Sequence, residues 1–129
     1  MFKSITAAAS VAVSVAVLGA PVANAGDGTC REGYVCMWEH ANYSGRLLVE
    51  NFPRLGNNEG HPMPEGTFDK VSSVVNSTDC RVELSGAGLS SRTHVTWPLS
   101  PRSRHTDLTA IGANDRARSY FFVCGVWLP

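Results

Sequence analysis

Apolar residues recur along this chain in short alternating runs, with little helical periodicity, and glycines and prolines interrupt them every several residues. That pattern predicts short strands joined by turns. Tyr34, Cys36 and Trp38 fall on one face of a strand ending at residue 39, because successive strand side chains point to opposite faces. Asn42 and Gly45 mark a turn, and residues 46–52 read as the return strand. Residues 53–66, rich in Asn, Gly and Pro, read as a long loop. Further strands are expected over 73–76, 81–84, 93–99 and 119–128, with Val95 and Trp97 on one face of the third. Residues 100–104 read as an exposed polar loop.

The elements repeat. Trp38 precedes Ser73 by 35 residues and Leu84 precedes Ser119 by the same 35, while Asp69 and Asp115 lie 46 apart, each four residues before its serine. A strand, a folded-over turn and a return strand begin a Greek key. Two such keys in about 100 residues must pack on each other, since each alone leaves an apolar face open. The expected fold is therefore all-β, a sandwich of two Greek-key motifs. Its expected core draws on Trp38, Val49, Phe52, Val74, Leu84, Val95, Tyr120, Phe122 and Trp127.

Composition adds a compartment. Lys3, the apolar run from Ile5 to Leu18 and the small-x-small triplet Ala23-Asn24-Ala25 have the order of an export signal over residues 1–25. Its removal leaves one domain, 26–129, with a net charge of about −1. That balance offers no electrostatic case for nucleic acid or an anionic membrane. The four cysteines, Cys30, Cys36, Cys80 and Cys124, all fall in this domain. An even count in a small exported domain points to two disulfides, for which three pairings exist. The short spacing favours Cys30 with Cys36 as a local staple, leaving Cys80 with Cys124. No Cys-x2-Cys or His-x3-His spacing supports zinc.

Trp38 and Gly45 are separated by six residues and preceded by the Cys30–Cys36 pair. Aromatic-x6-Gly opens the Greek key of βγ-crystallins. With the cysteine pair in an exported chain, it resembles peptidase inhibitor family thirty-six, the Streptomyces-type metalloproteinase inhibitors, most strongly over residues 30–76. The resemblance implies a disulfide-linked βγ-crystallin-like fold. It also implies a secreted, monomeric, non-enzymatic inhibitor of an extracellular protease, a metalloprotease by analogy, acting by loop insertion into the active-site cleft. An inhibitory loop must be exposed and rigid, because preorganisation lowers the entropy cost of binding. Pro101, Arg102, Ser103 and Arg104 form the candidate, and the Pro-rich stretch 60–65 a second. The inhibitors compared carry their reactive bond in a second small cysteine loop, whereas Cys80 and Cys124 are 44 apart, so that bond is not transferable.

Calcium-binding crystallin-like domains carry Asn/Asp-Asn/Asp-x-x-Ser/Thr-Ser in each half, and oxygen donors suit a hard cation. Here the candidate ligands are Asp69, Ser72, Asn114 and Asp115. Phe68 stands at one acid position and Arg118 at one hydroxyl position. A guanidinium has no lone pair for a metal, so Arg118 can instead pair with Asp69 or Asp115 in the cation's place. A crystallin-type binding module with weak or lost calcium affinity is thus the alternative function, and a killer-toxin-like antimicrobial protein a third. His40, His61, His94 and His105 are isolated, and no nucleophile motif accompanies them. Asn42 and Asn76 head glycosylation-type triplets but read as backbone-bonding turn residues.

Overall fold

A computed structural model describes residues 26–54, 59–88 and 95–124. Eight strands follow in order: β1 (Val35–His40), β2 (Ser44–Asn51), β3 (Glu59–Pro62), β4 (Ser73–Asn76), β5 (Arg81–Ser85), β6 (Thr96–Leu99), β7 (Ser103–His105) and β8 (Ser119–Val123). A single 3₁₀ turn, Leu108–Ile111, lies between β7 and β8 among the described residues. The strands form two four-stranded sheets, β2-β1-β4-β7 and β3-β8-β5-β6, and all pairings are antiparallel. Each sheet holds three strands of one Greek key and the third strand of the other. This exchange makes the two keys a single cooperative unit.

The exchanged strands correct the loop assignments of the sequence. Glu59–Pro62 pairs with β8, and Ser103–His105 pairs with β4. The expected strand at 93–99 is observed over Thr96–Leu99; residues 93 and 94 and the end of the last expected strand lie outside the described residues.

The core lies between the sheets, with Val35, Met37, Val49, Val74, Leu84, Leu99, Tyr120 and Phe122 all buried. Of the expected core residues, Val49, Val74, Leu84, Tyr120 and Phe122 are there. Phe52 and Val95 are exposed instead, because each sits just beyond the end of its strand. Trp38 is half-buried and outside the core cluster. Val35 and Met37 supply the inward face of β1, and the register shifts on either side of Trp38. Alternation places Trp38 on the opposite face from Val35 and Met37, where it meets the Tyr43 ring edge-on at 5.3 Å. Trp127 lies outside the described residues.

The turn after β1 shows how the repeat is built. Asn42, Tyr43 and Gly45 all have positive φ, 60°, 57° and 79°. Such a conformation is costly for a bulky residue. Hydrogen bonds hold it: Tyr43 N–H donates to Ser73 Oγ at 3.0 Å, and Ser73 Oγ–H donates to His40 O at 2.6 Å. Ser119 does the same service in the second key, donating to Ala87 O at 2.6 Å. Both aspartates of the repeat are left-handed too, Asp69 at 63° and Asp115 at 57°. Their N–H groups cross between keys, Asp69 to Ala117 O and Asp115 to Val71 O. The 46-residue repeat is thus a pseudo-twofold in the backbone.

Candidate functional site

The candidate inhibitory residues straddle an element boundary. Pro101 and Arg102 form the turn after β6, while Ser103 and Arg104 begin β7, an edge strand. Arg102 is left-handed at φ 59°, and its N–H donates to Thr78 O at 3.2 Å. Its guanidinium spans two carboxylates, with Nε to Asp79 Oδ1 at 2.9 Å and Nη1 to Glu32 Oε2. These partners hold the group firmly in its charged form. Glu32 lies inside the ring closed by Cys30–Cys36, and Asp79 adjoins Cys80, which is bonded to Cys124. The turn is therefore fastened to both disulfide-tied segments.

Beneath it, Asn76 is 1% exposed. Its amide donates to Cys80 O and Ser100 O, each at 2.9 Å, and its carbonyl accepts from Thr78 N–H and Oγ–H. The triplet at Asn76 therefore serves the backbone. Ser103 Oγ–H donates to Ser100 O at 2.6 Å. A shallow cleft of about 170 Å³ runs along Val75, Asn76, Ser77, Arg102, Ser103 and Arg104.

Arg104 turns away from this cleft's partners toward the amino-terminal segment. It donates to Asp27 O at 2.8 Å and to Gly28 O at 3.3 Å, and lies over the Tyr43 ring at 5.1 Å. Gly26 N–H donates to Asn42 O at 3.0 Å, and a Cβ on Gly26 would meet Tyr43 O at 2.3 Å. Residues 26–28 are thus a strap over Tyr43. The first half of the second candidate stretch, 60–62, belongs to β3, and Met63 just after it is buried.

His105 Nε2 lies 2.8 Å from Ser103 Oγ. That hydroxyl already donates to Ser100 O, so the ring donates and the oxygen accepts. A nucleophile activated by a base needs the opposite polarity. Burial lowers the His105 pKa below its ordinary value, which agrees with a neutral ring.

The calcium-type residues meet at the other end of β1 and β4, where Trp38 pairs with Ser73; Val35 and Asn76 pair at the end near Arg102. Ser72 Oγ–H donates to Asp115 Oδ1 at 3.0 Å. A cleft of about 200 Å³ is lined by these two with Glu39, His40, Asp69 and Lys70. Asn114 occupies the adjoining turn, half-buried. Asp69 is taken by Arg118, which binds both carboxylate oxygens, with Nη2 to Oδ2 at 2.9 Å and Nε to Oδ1 at 3.1 Å. This pairing lowers the Asp69 pKa. The Asp69 half does not fit a cation, because a fixed positive charge fills it. The Asp115 half brings two side-chain oxygens together, beside the Lys70 ammonium, where calcium takes six or more. Among the described residues no group of three or more His, Cys, Asp or Glu could hold a metal ion.

Comparison with known proteins places this geometry. Residues 23–84 match the model of peptidase inhibitor family I36. The resemblance to that family and to βγ-crystallins is thereby upheld. The I36 match contains the Cys30–Cys36 ring, Trp38, Gly45, Glu32 and Asp79, and ends before β6, so the clamp lies inside it and the clamped turn beyond it. Solved structures give the fold. A βγ-crystallin from an archaeon is 15% identical at a TM-score of 0.55, covering 72% of this chain and 100% of its own. The calcium-bound βγ-crystallin domain of abundant perithecial protein from Neurospora crassa is 14% identical at 0.54, covering 78% and 98%. Spherulin 3a from Physarum polycephalum is 24% identical at 0.51, covering 75% and 88%. No curated protein matches the chain significantly. The fold is the βγ-crystallin fold, and the I36 match supports inhibition of a peptidase.

Glu32, Asp79, Asn76 and the 26–28 strap were not singled out from sequence. Two of them had a signal: Glu32 and Asp79 sit within or beside the cysteine framework, where a charged side chain is held in place.

Proposed function

We propose that the chain is an exported, non-enzymatic inhibitor of an extracellular protease of the metalloprotease class, and that domain 26–129 acts as a monomer by inserting the β6–β7 turn into the active-site cleft. The observation that carries this reading is an exposed turn held at its base by Arg102 N–H to Thr78 O and Ser103 Oγ–H to Ser100 O, with the Arg102 guanidinium paired at the surface to Glu32 and Asp79. A rigid turn loses little entropy on binding and resists being drawn out for cleavage. The I36 match supports the inhibitor class. Two disulfides and the signal-like residues 1–25 support export. No step of this reading runs through calcium or another cofactor.

The test is inhibition of a panel of secreted serine, cysteine and metalloproteases by the oxidised protein. Stoichiometric inhibition of a metalloprotease at nanomolar concentration is the expected result. Inhibition confined to another class removes the metalloprotease assignment, and inhibition of none removes the reading. The second reading, a crystallin-type module with weak calcium affinity, has only the two side-chain oxygens of Asp115 and Ser72 behind it. A calcium-dependent rise in melting temperature, lost in Asp115→Asn, would then be observed.

A further inference from the structure

The end of the first sheet that carries the clamped turn also carries a row of exposed cations and partly exposed aromatic rings. Tyr34 and Phe52 meet just past the Val35–Asn51 pair, their rings tilted by 58° with centroids 5.0 Å apart. The Arg31 guanidinium lies 4.3 Å from the Tyr34 ring, and that of Arg54 lies 4.3 Å from the Phe52 ring. The result is one continuous stack, Arg54–Phe52–Tyr34–Arg31, leading across β2 and β1. Arg31 is followed by Glu32, which holds Arg102. Gly33 N–H donates to Ser77 O and Arg102 N–H to Thr78 O, so the row continues past β4 to the β6–β7 turn.

A lone exposed hydrophobic residue is ordinary on a protein surface. Here two rings and two guanidiniums are ordered against one another before any partner arrives. Phe52 is 37% exposed, and the Arg31 side chain is 64% exposed with Glu50 at 3.7 Å. Arg54 donates to the neutral side chain of Asn51 at 3.1 Å. Arg and Tyr are enriched at the energetic centres of protein interfaces. A guanidinium laid over a ring still presents a planar fork of N–H donors that matches a carboxylate.

We propose that this stack is a docking surface for the target protease, set beside the inserted turn, and that the protease rim it meets is acidic. The proposal rests on the inhibitor reading. Charge complementarity of this kind raises the association rate and is weakened by salt.

The experiment compares inhibition constants of the oxidised wild type, R31E/R54E, Y34A/F52A and the distant control F68A against the inhibited protease, at low and high salt. Melting temperature and light scattering are read on every sample. Each double variant is expected to inhibit at least about ten-fold more weakly, with R31E/R54E also losing the salt dependence, while F68A is unchanged. Folded double variants that inhibit as well as wild type overturn the proposal. So does loss of a wild-type dimer in Y34A/F52A with inhibition unchanged, which makes the stack a self-association surface. A wild type that inhibits nothing overturns the inhibitor reading, and this proposal with it.

Discussion

Arg118 shows how one substitution redirects a site. It stands where a calcium-binding crystallin motif has a hydroxyl ligand, and it grips Asp69 with two hydrogen bonds. The pair joins the first key to the second. Because Arg118 lowers the Asp69 pKa, the folded state favours the carboxylate. Its contribution is complete above the ordinary carboxylate pKa and is lost as pH falls through the lowered one. Arg118→Gln is expected to lower the melting temperature at pH 7 by no more than a few degrees, since the pair is solvent-exposed. Melts from pH 7 down to pH 2 should show a shallower acid loss in the variant than in wild type. His105 has the opposite charge type. Its pKa is depressed by burial from an ordinary value near 6.5, so the unfolded chain binds the proton more readily. Stability should therefore fall as pH drops from about 7 through 6.5 and below, and His105→Gln should flatten that slope in pH-dependent melts.

At the scale of elements, the two bridges constrain very different lengths of chain. Cys80–Cys124 closes a separation of 44 residues and Cys30–Cys36 a separation of 6. On the chain-entropy account these are worth about 4 and about 2 kcal/mol. Cys80→Ala/Cys124→Ala should thus lower unfolding stability about twice as much as Cys30→Ala/Cys36→Ala in urea titrations. The smaller bridge should matter more for inhibition, because its ring holds Glu32 against Arg102. The strands read from sequence were those with apolar alternation, β1, β2, β4, β5, β6 and β8. β3 and β7 were missed. Gly60-His61-Pro62 and Ser103-Arg104-His105 have no apolar alternation of their own. Each is a strand because the other key supplies its partner, and that information is non-local. The burial of Trp38 was misjudged because alternation fixes which residues share a face but not which face turns inward: Val35 and Met37 supply the core side of β1, and Trp38 lies on the other.

At the scale of the molecule, the two ends of the sandwich are unlike. One end keeps the crystallin-type aspartates, with Arg118 filling one half and Asp115 bonded to Ser72. The other end gathers both disulfide-tied segments, the clamped turn and the stacked row of Arg31, Tyr34, Phe52 and Arg54. The fold class and the repeat were legible because the Trp38–Gly45 spacing and the 35- and 46-residue spacings of Ser73, Ser119, Asp69 and Asp115 can be read directly along the chain. The clamp was not, because Glu32, Asp79 and Arg102 are charged surface residues far apart in sequence, brought together only by sheet order. The account's central claim is that the disulfide-tied end seats on the protease. Hydrogen exchange of the complex, followed peptide by peptide, tests it most directly. The account predicts new protection over residues 100–104 and 31–34, with the Asp69 and Asp115 turns unchanged. Protection confined to the Asp69 and Asp115 end, in a complex that inhibits, would contradict it.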